Sequence, residues 1–165
     1  MHLALFQPDI PANAGAIMRL AACLDLPLAI VEPCGFILDD RRLRRAALDY
    51  RSHLRLVRLS SWRVFESWRS DQGSRLVLLT TRAAMHHHAV RYRPEDVLLC
   101  GRETAGVPEE VHAAADLRVS VPIAPGRRSL NVVTALAMVA GEALRQTGGW
   151  PSDPAHAGVP AMPRE

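Results

Sequence analysis

Residues 121–144 read VPIAPGRRSLNVVTALAMVAGEAL. A short apolar strand, expected at 118–121, gives way to a loop holding two prolines, a glycine and the pair Arg127-Arg128. Ser129 then opens a helix expected over 130–146. From Leu130 to Leu144 only Asn131, Thr134 and Glu142 are strongly polar. A helix this apolar has to be covered on more than one side. A serine and free backbone N–H groups at a helix start can hold a polar ligand. This stretch therefore joins a candidate ligand site to a candidate contact surface.

Upstream, short apolar runs alternate with helical patterns. Strands are expected at 3–6, 28–31, 54–59, 76–80, 97–100 and 118–121, and helices at 14–24, 40–48, 62–68, 109–114 and 130–146. Strand and helix in turn at this spacing predict an α/β fold, a mostly parallel sheet with helices on both faces. Ligands of such sheets bind at the carboxyl ends of the strands. The domain is expected to span 1–147, and the Pro-, Gly- and Ala-rich 148–165 is expected to be a disordered tail.

The composition, 48% hydrophobic and 22% charged over 165 residues, is that of one globular domain. Aromatic residues make up only 5%, which disfavours base stacking on an aromatic platform. No apolar run reaches the length of a membrane span, and the start MHLALFQPDIP lacks the pattern of a signal peptide, so a cytoplasmic protein is expected. All 20 basic residues are arginine, and the sequence pI is about 9.1. Arg41, Arg42, Arg44, Arg45, Arg51, Arg55 and Arg58 cluster around His53, a pattern suited to phosphate contacts although Asp39, Asp40 and Asp49 dilute it. Cys23, Cys34 and Cys100 are far apart and read as reduced thiols. The run His86-His87-His88 lacks the i, i+4 spacing of a helical metal site and is read as an exposed loop; no metal is expected.

Two further loops match the first. Asn13-Ala14-Gly15-Ala16-Ile17-Met18-Arg19 follows the first strand and the turn Pro8-Asp9-Ile10-Pro11, with Asn13 placed as an N-cap. Gly101-Arg102-Glu103-Thr104-Ala105-Gly106-Val107-Pro108 directly follows the strand at 97–100, and its glycines suggest a tight loop admitting a ligand to the backbone. Neither the dinucleotide G-x-G-x-x-G nor the P-loop motif occurs, so the site is of another kind.

The set N-x-G-x-x-x-R, G-x-E-x-x-G-V-P and I-A-P-x-x-x-S-L-N, in this order, resembles the SPOUT superfamily. These are S-adenosylmethionine-dependent RNA methyltransferases with a C-terminal trefoil knot. The string Glu32-Pro33-Cys34-Gly35-Phe36, followed by Asp39-Asp40-Arg41-Arg42-Leu43-Arg44-Arg45-Ala46-Ala47-Leu48-Asp49-Tyr50, looks like one small branch. That branch methylates the ribose 2′-oxygen of cytidine or uridine at the wobble position of tRNA.

The resemblance implies a knotted cofactor pocket and a homodimer formed through the final helix. By motif position Leu79, Gly101, Val121 and Ser129 would contact S-adenosylmethionine, with Glu103 and Asn131 in the same loops, and Arg41, Arg42, Arg44 and Arg45 would meet tRNA. The reaction would be assigned to Arg19 with Asn13 beside it. A guanidinium is effectively never deprotonated, so Arg19 is expected to clamp a phosphate and polarise the hydroxyl rather than act as a base. Two positions depart from the branch. Gly141 stands where a tyrosine is frequent, and Val133 where a small polar residue is frequent, which suggests a drier pocket. Methylation of another RNA, a non-catalytic RNA-binding member of the fold, and a nucleotide-dependent enzyme unrelated to RNA are the competing readings.

Overall fold

Runs of Leu, Val, Ile and Ala that are apolar at every position have to be buried on both faces, and they become the central strands of a parallel sheet. The computed structural model describes residues 1–38 and 54–152. In it the strands are β1 (His2–Phe6), β2 (Leu28–Val31), β3 (Leu56–Leu59), β4 (Leu76–Leu79), β5 (Met85–His86), β6 (Val97–Cys100) and β7 (Leu117–Ser120). Among the described residues they form one sheet in the order β3-β2-β1-β6-β4-β7-β5, every pair parallel. β2 and β6 are wholly buried, whereas the edge strand β3 exposes Leu56 and Arg58.

Alternation along each strand divides the core in two. Leu3, Leu5, Leu28, Ile30, Val77 and Leu98 face α1 (Pro11–Cys23) and α4 (Val132–Thr147), where Ile17, Leu136 and Val139 meet them. Ala4, Phe6, Ala29, Val31, Leu76, Leu78 and Leu99 face α2 (Trp62–Asp71) and α3 (Glu109–Ala114), through Phe65 and Val111. The period of two thus places helices on both faces, as expected.

The chain order shows what that layout does. β1 leads through α1 to β2 on one side, while β6 leads through α3 to β7 on the other. The loops leaving β1 and β6 therefore diverge from adjacent strands, and they open a crevice at the carboxyl edge. β7, last in sequence, lies between β4 and β5 rather than at an edge.

Several expectations need correcting. Asn13 is not a cap: Pro11 sets the first helical turn, Ile10 is the N-cap, and Asn13 stands inside α1. The last helix does not open at Ser129 but at Val132, because the Asn131 side chain accepts the Val133 N–H at 2.8 Å. Val133 packs against the core, so it does not dry the pocket. The histidine run is not simply an exposed loop. His86 pairs with Ser120 in β5, and His87 is buried, its main-chain carbonyl accepting the Tyr92 hydroxyl at 2.8 Å. The expected helix at 40–48, with Arg41, Arg42, Arg44 and Arg45, and most of the tail, from residue 153 on, lie outside the described residues.

α4 buries one stripe, Leu136, Val139, Ala140, Ala143 and Leu144, and leaves Thr134 and Met138 exposed. Gly148 closes it in the left-handed region, φ 65°. Where a side chain at Gly141 would begin, the Trp150 ring lies 3.9 Å away.

Candidate active site

The site is assembled from three loops that are remote in sequence. Asp9 and Asn13 follow β1, Glu103 follows β6, and Asn131 precedes α4. The Asn131 Nδ2 donates to Asn13 Oδ1 at 3.2 Å, and the Asn13 Nδ2 donates to Glu103 Oε1 at 3.1 Å. The other carboxylate oxygen of Glu103 accepts the Asp9 N–H at 3.1 Å. In return the Glu103 N–H donates to Asp9 Oδ1 at 3.2 Å, and the Thr104 hydroxyl donates to Asp9 Oδ2. Both amides are thereby oriented, since each spends an acceptor and a donor in the chain.

Burial, and then the neighbouring Asp9 carboxyl, push Glu103 above the usual carboxylate range. The Glu103 carboxyl beside it, with the Thr104 hydroxyl and backbone N–H groups adding to the effect, holds Asp9 down to about 2. Two acids placed side by side are separated in this way, with Glu103 the one that binds a proton first.

Beside this chain lies a cavity of about 630 Å³. Leu79, Gly101, Glu103, Val121, Ser129 and Asn131, all six expected cofactor contacts, line it together with Asn13. Arg19 does not. It is exposed on α1, about 9 Å along the axis from Asn13 and roughly a third of a turn round it. Sequence reading missed Asp9, Thr80, Arg102 and His112. Asp9 was visible only as part of a turn, since its partner stands 94 residues away. Arg102 stands over the Phe6 ring, 5.9 Å from its centre, and donates to the Gln7 side chain. Burial pushes the His112 imidazole down, so it is a neutral part of the wall.

Gly101 also has a packing role within its own loop. A Cβ there would come within 2.7 Å of the Gly106 carbonyl carbon and 2.8 Å of Val107 Cγ1. The space is filled by the loop itself, which closes through mutual Arg102–Gly106 backbone hydrogen bonds of 3.0 and 2.9 Å, with Gly106 at φ +66°. The glycine thus shapes the loop as well as lining the cavity.

Comparison with known proteins supplies the family. The model of the SpoU rRNA methylase family matches residues 1–141. The chain belongs to this family. It is 54% identical over 146 residues to a tRNA (cytidine(34)-2′-O)-methyltransferase of Beijerinckia indica, covering 88% of this chain and 91% of the relative. To the protein so named in Escherichia coli K12 it is 40% identical over 150 residues, covering 90% and 94%. A solved structure concerned with the 2-OH methylation of C/U34 on tRNA superposes with a TM-score of 0.84 at 39% identity, covering 88% of this chain and 94% of that one. The SpoU methyltransferase AviRb of Streptomyces viridochromogenes, in complex with AdoMet, superposes at 0.82 with 25% identity, covering 88% and 60%.

For this SpoU-family chain the cavity fits such a cofactor in size and chemistry. Its volume falls within the range of small-molecule sites. Leu79, Val121, Ile123 and Leu130 supply apolar wall, Thr80, Ser120, Ser129 and Asn131 supply neutral polar groups, and Glu103, Arg82 and Arg102 supply charge of both signs. That mixture suits a ligand with a flat nucleoside, a cationic centre and a zwitterionic arm. Among the described residues no group of three or more His, Cys, Asp or Glu is arranged to hold a metal, and no helix is long and apolar enough to cross a membrane.

Proposed function

We propose that this protein transfers a methyl group from S-adenosylmethionine to the ribose 2′-oxygen of the wobble nucleotide, cytidine or uridine, of tRNA. The observation that carries this reading is the hydrogen-bonded chain Asn131–Asn13–Glu103, which joins the three sequence motifs beside one cavity. The named function of the Beijerinckia and Escherichia relatives, at 54% and 40% identity, supports the choice of substrate.

When bound, S-adenosylmethionine supplies a methyl on a sulfonium, an electrophile aligned for in-line attack. The protein's part is alignment and electrostatics. Leu79, Gly101, Val121 and Ser129 hold the cofactor, Glu103 and Asn131 keep the loops in register, and Asn13 borders the place of the hydroxyl. Arg19 stands outside the cavity and clamps a phosphate next to the target ribose, while the hydroxyl proton leaves to water or a neighbouring group. β7 lies between β4 and β5, both of which precede it in sequence, and we propose that the C-terminal segment beyond it is knotted as the resemblance implies. We place the methyltransferase domain at residues 1–147, the tail after it, a homodimer on the exposed face of α4, tRNA contacts on Arg41, Arg42, Arg44 and Arg45, and the enzyme in the cytoplasm with its substrate.

Purified protein incubated with labelled S-adenosylmethionine and total tRNA is expected to label RNA at nucleotide 34, as 2′-O-methylcytidine or 2′-O-methyluridine. Absence of label in RNA would sink the reading. Arg19→Lys is expected to lower kcat/KM for tRNA by about tenfold with cofactor affinity unchanged, because an ammonium cannot make the two parallel bonds of a guanidinium. Near-normal turnover of Arg19→Lys would exclude the clamp.

A further inference from the structure

The hydrogen bonds between the loops after β1 and β6 are reciprocal. Asp9 offers its N–H to Glu103 and takes the N–H of Glu103 and the hydroxyl of Thr104 on its own carboxylate. The two loops leave adjacent strands in opposite directions, so nothing in the sheet itself holds them together beyond Cys100. On its far side Asp9 is braced by the loop after β2. A Cβ at Gly35 would lie 3.0 Å from both Cα and Cβ of Asp9, and the Gly35 N–H donates to the Pro8 carbonyl at 2.9 Å. The string Glu32-Pro33-Cys34-Gly35-Phe36 thus has a mechanical use: its glycine lets the third loop seat against Asp9.

We infer that Asp9 is a positioning residue for methyl transfer, locking the Glu103 loop to the start of α1 so that the Glu103 carboxylate can hold Asn13 beside the cavity. The inference rests on the function proposed above for what is positioned, but the lock itself is a property of the chain.

The lock has a polarity that makes it testable. Both groups facing the Glu103 carboxylate, the Asp9 N–H and the Asn13 amide, are donors, so Glu103 holds both best when ionised. The charged or titratable neighbours are few. Asp9 comes from the β1–α1 loop, and the Cys100 thiol from β6 is pushed up to about 12 by burial and stays neutral. Arg102 is turned to Gln7, and α1 and α4 present the amides of Asn13 and Asn131. Burial first, and the Asp9 carboxyl beside it second, raise the pH at which Glu103 protonates and the site slackens. Removal of the Asp9 charge with hydrogen bonding kept lowers that pH.

The experiment compares wild type, Asp9→Asn, Asp9→Ala and Glu103→Gln as full-length chains, by amide hydrogen exchange of residues 101–108 and by kcat against pH. Asp9→Asn keeps an acceptor for the Glu103 N–H and is expected to keep wild-type exchange while the acid limb of kcat moves to lower pH. Asp9→Ala is expected to raise exchange in 101–108 at least tenfold and to weaken S-adenosylmethionine binding at every pH, at an unchanged fold by circular dichroism. Glu103→Gln is expected to lose the acid limb. Unchanged exchange in Asp9→Ala overturns the lock, and so does a uniform loss of kcat in Asp9→Asn with the acid limb unmoved. A wild-type protein that exchanges as described but methylates no RNA overturns the proposed function and leaves the lock standing.

Discussion

Glu103→Ala is expected to reduce kcat/KM for tRNA methylation by about 100-fold, the scale on which misplacement of a reacting group by an ångström costs rate. Removing the carboxylate leaves the Asn13 amide and the Asp9 N–H without their shared acceptor. Asn13 is then free to turn, and with it the Asn131 amide that donates to it and caps α4. Three loops lose their common partner at once, so the effect exceeds that of one hydrogen bond. Stability should behave differently. The Glu103 carboxyl is raised in the folded protein, so its burial favours folding below the unfolded carboxyl range and counts increasingly against it as pH rises through the raised value. Asp9 has the opposite sign: its contribution is present above the ordinary aspartate range and is lost as pH falls toward about 2. Near pH 7 Glu103→Ala is therefore expected to lower activity steeply while leaving Tm close to wild type. A fall in Tm that accounts for the whole loss of activity would show Glu103 to be structural only.

Gly101→Ala is expected to destabilise the protein by about 1–3 kcal/mol, the range for forcing a methyl into filled space. The new Cβ would meet backbone, the Gly106 carbonyl carbon at 2.7 Å and its oxygen at 2.9 Å, and backbone yields less readily than a side-chain tip. Relief requires opening the Arg102–Gly106 bridge, which carries Glu103 and one wall of the cavity with it. Weaker S-adenosylmethionine binding, by roughly tenfold on the same energy scale, should accompany the loss. Gly106→Ala separates two explanations, because nothing stands within 4 Å of its Cβ but its φ is +66°. It should cost only the strain of a left-handed residue, about 1 kcal/mol. Denaturant unfolding and calorimetric titration check both. A Gly101→Ala protein as stable as wild type would mean that the loop closes in another way.

Much of this architecture is legible in the chain. Unbroken runs such as Leu98-Leu99-Cys100 read as strands buried on both faces, and their alternation with helices implied a parallel sheet whose ligands sit at the carboxyl edge. The edges of elements were less legible. Residue 14 is a good helix former, but Pro11 sets the turn earlier, and Asn131 overrides Ser129 because its side chain, not the serine's, reaches the Val133 N–H. β5 has two residues and no apolar pattern of its own, so it exists only because β7 offers Met85 and His86 a partner.

The site divides along the same line. Local sequence by itself determined which residues were available: an asparagine, a glutamate and a second asparagine, each at the end of a strand or the start of a helix, with glycines where the loop must turn. Those properties depend on neighbours within a few positions, so they can be read along the chain. Only the tertiary structure decided that the three meet, that Asp9 joins them, that the space at Gly101 is filled by its own loop, and that Arg19 stands outside the cavity. Hydrogen bonds between residues 94 or 118 positions apart depend on strand order, and strand order is set by packing of the whole sheet rather than by any segment of it.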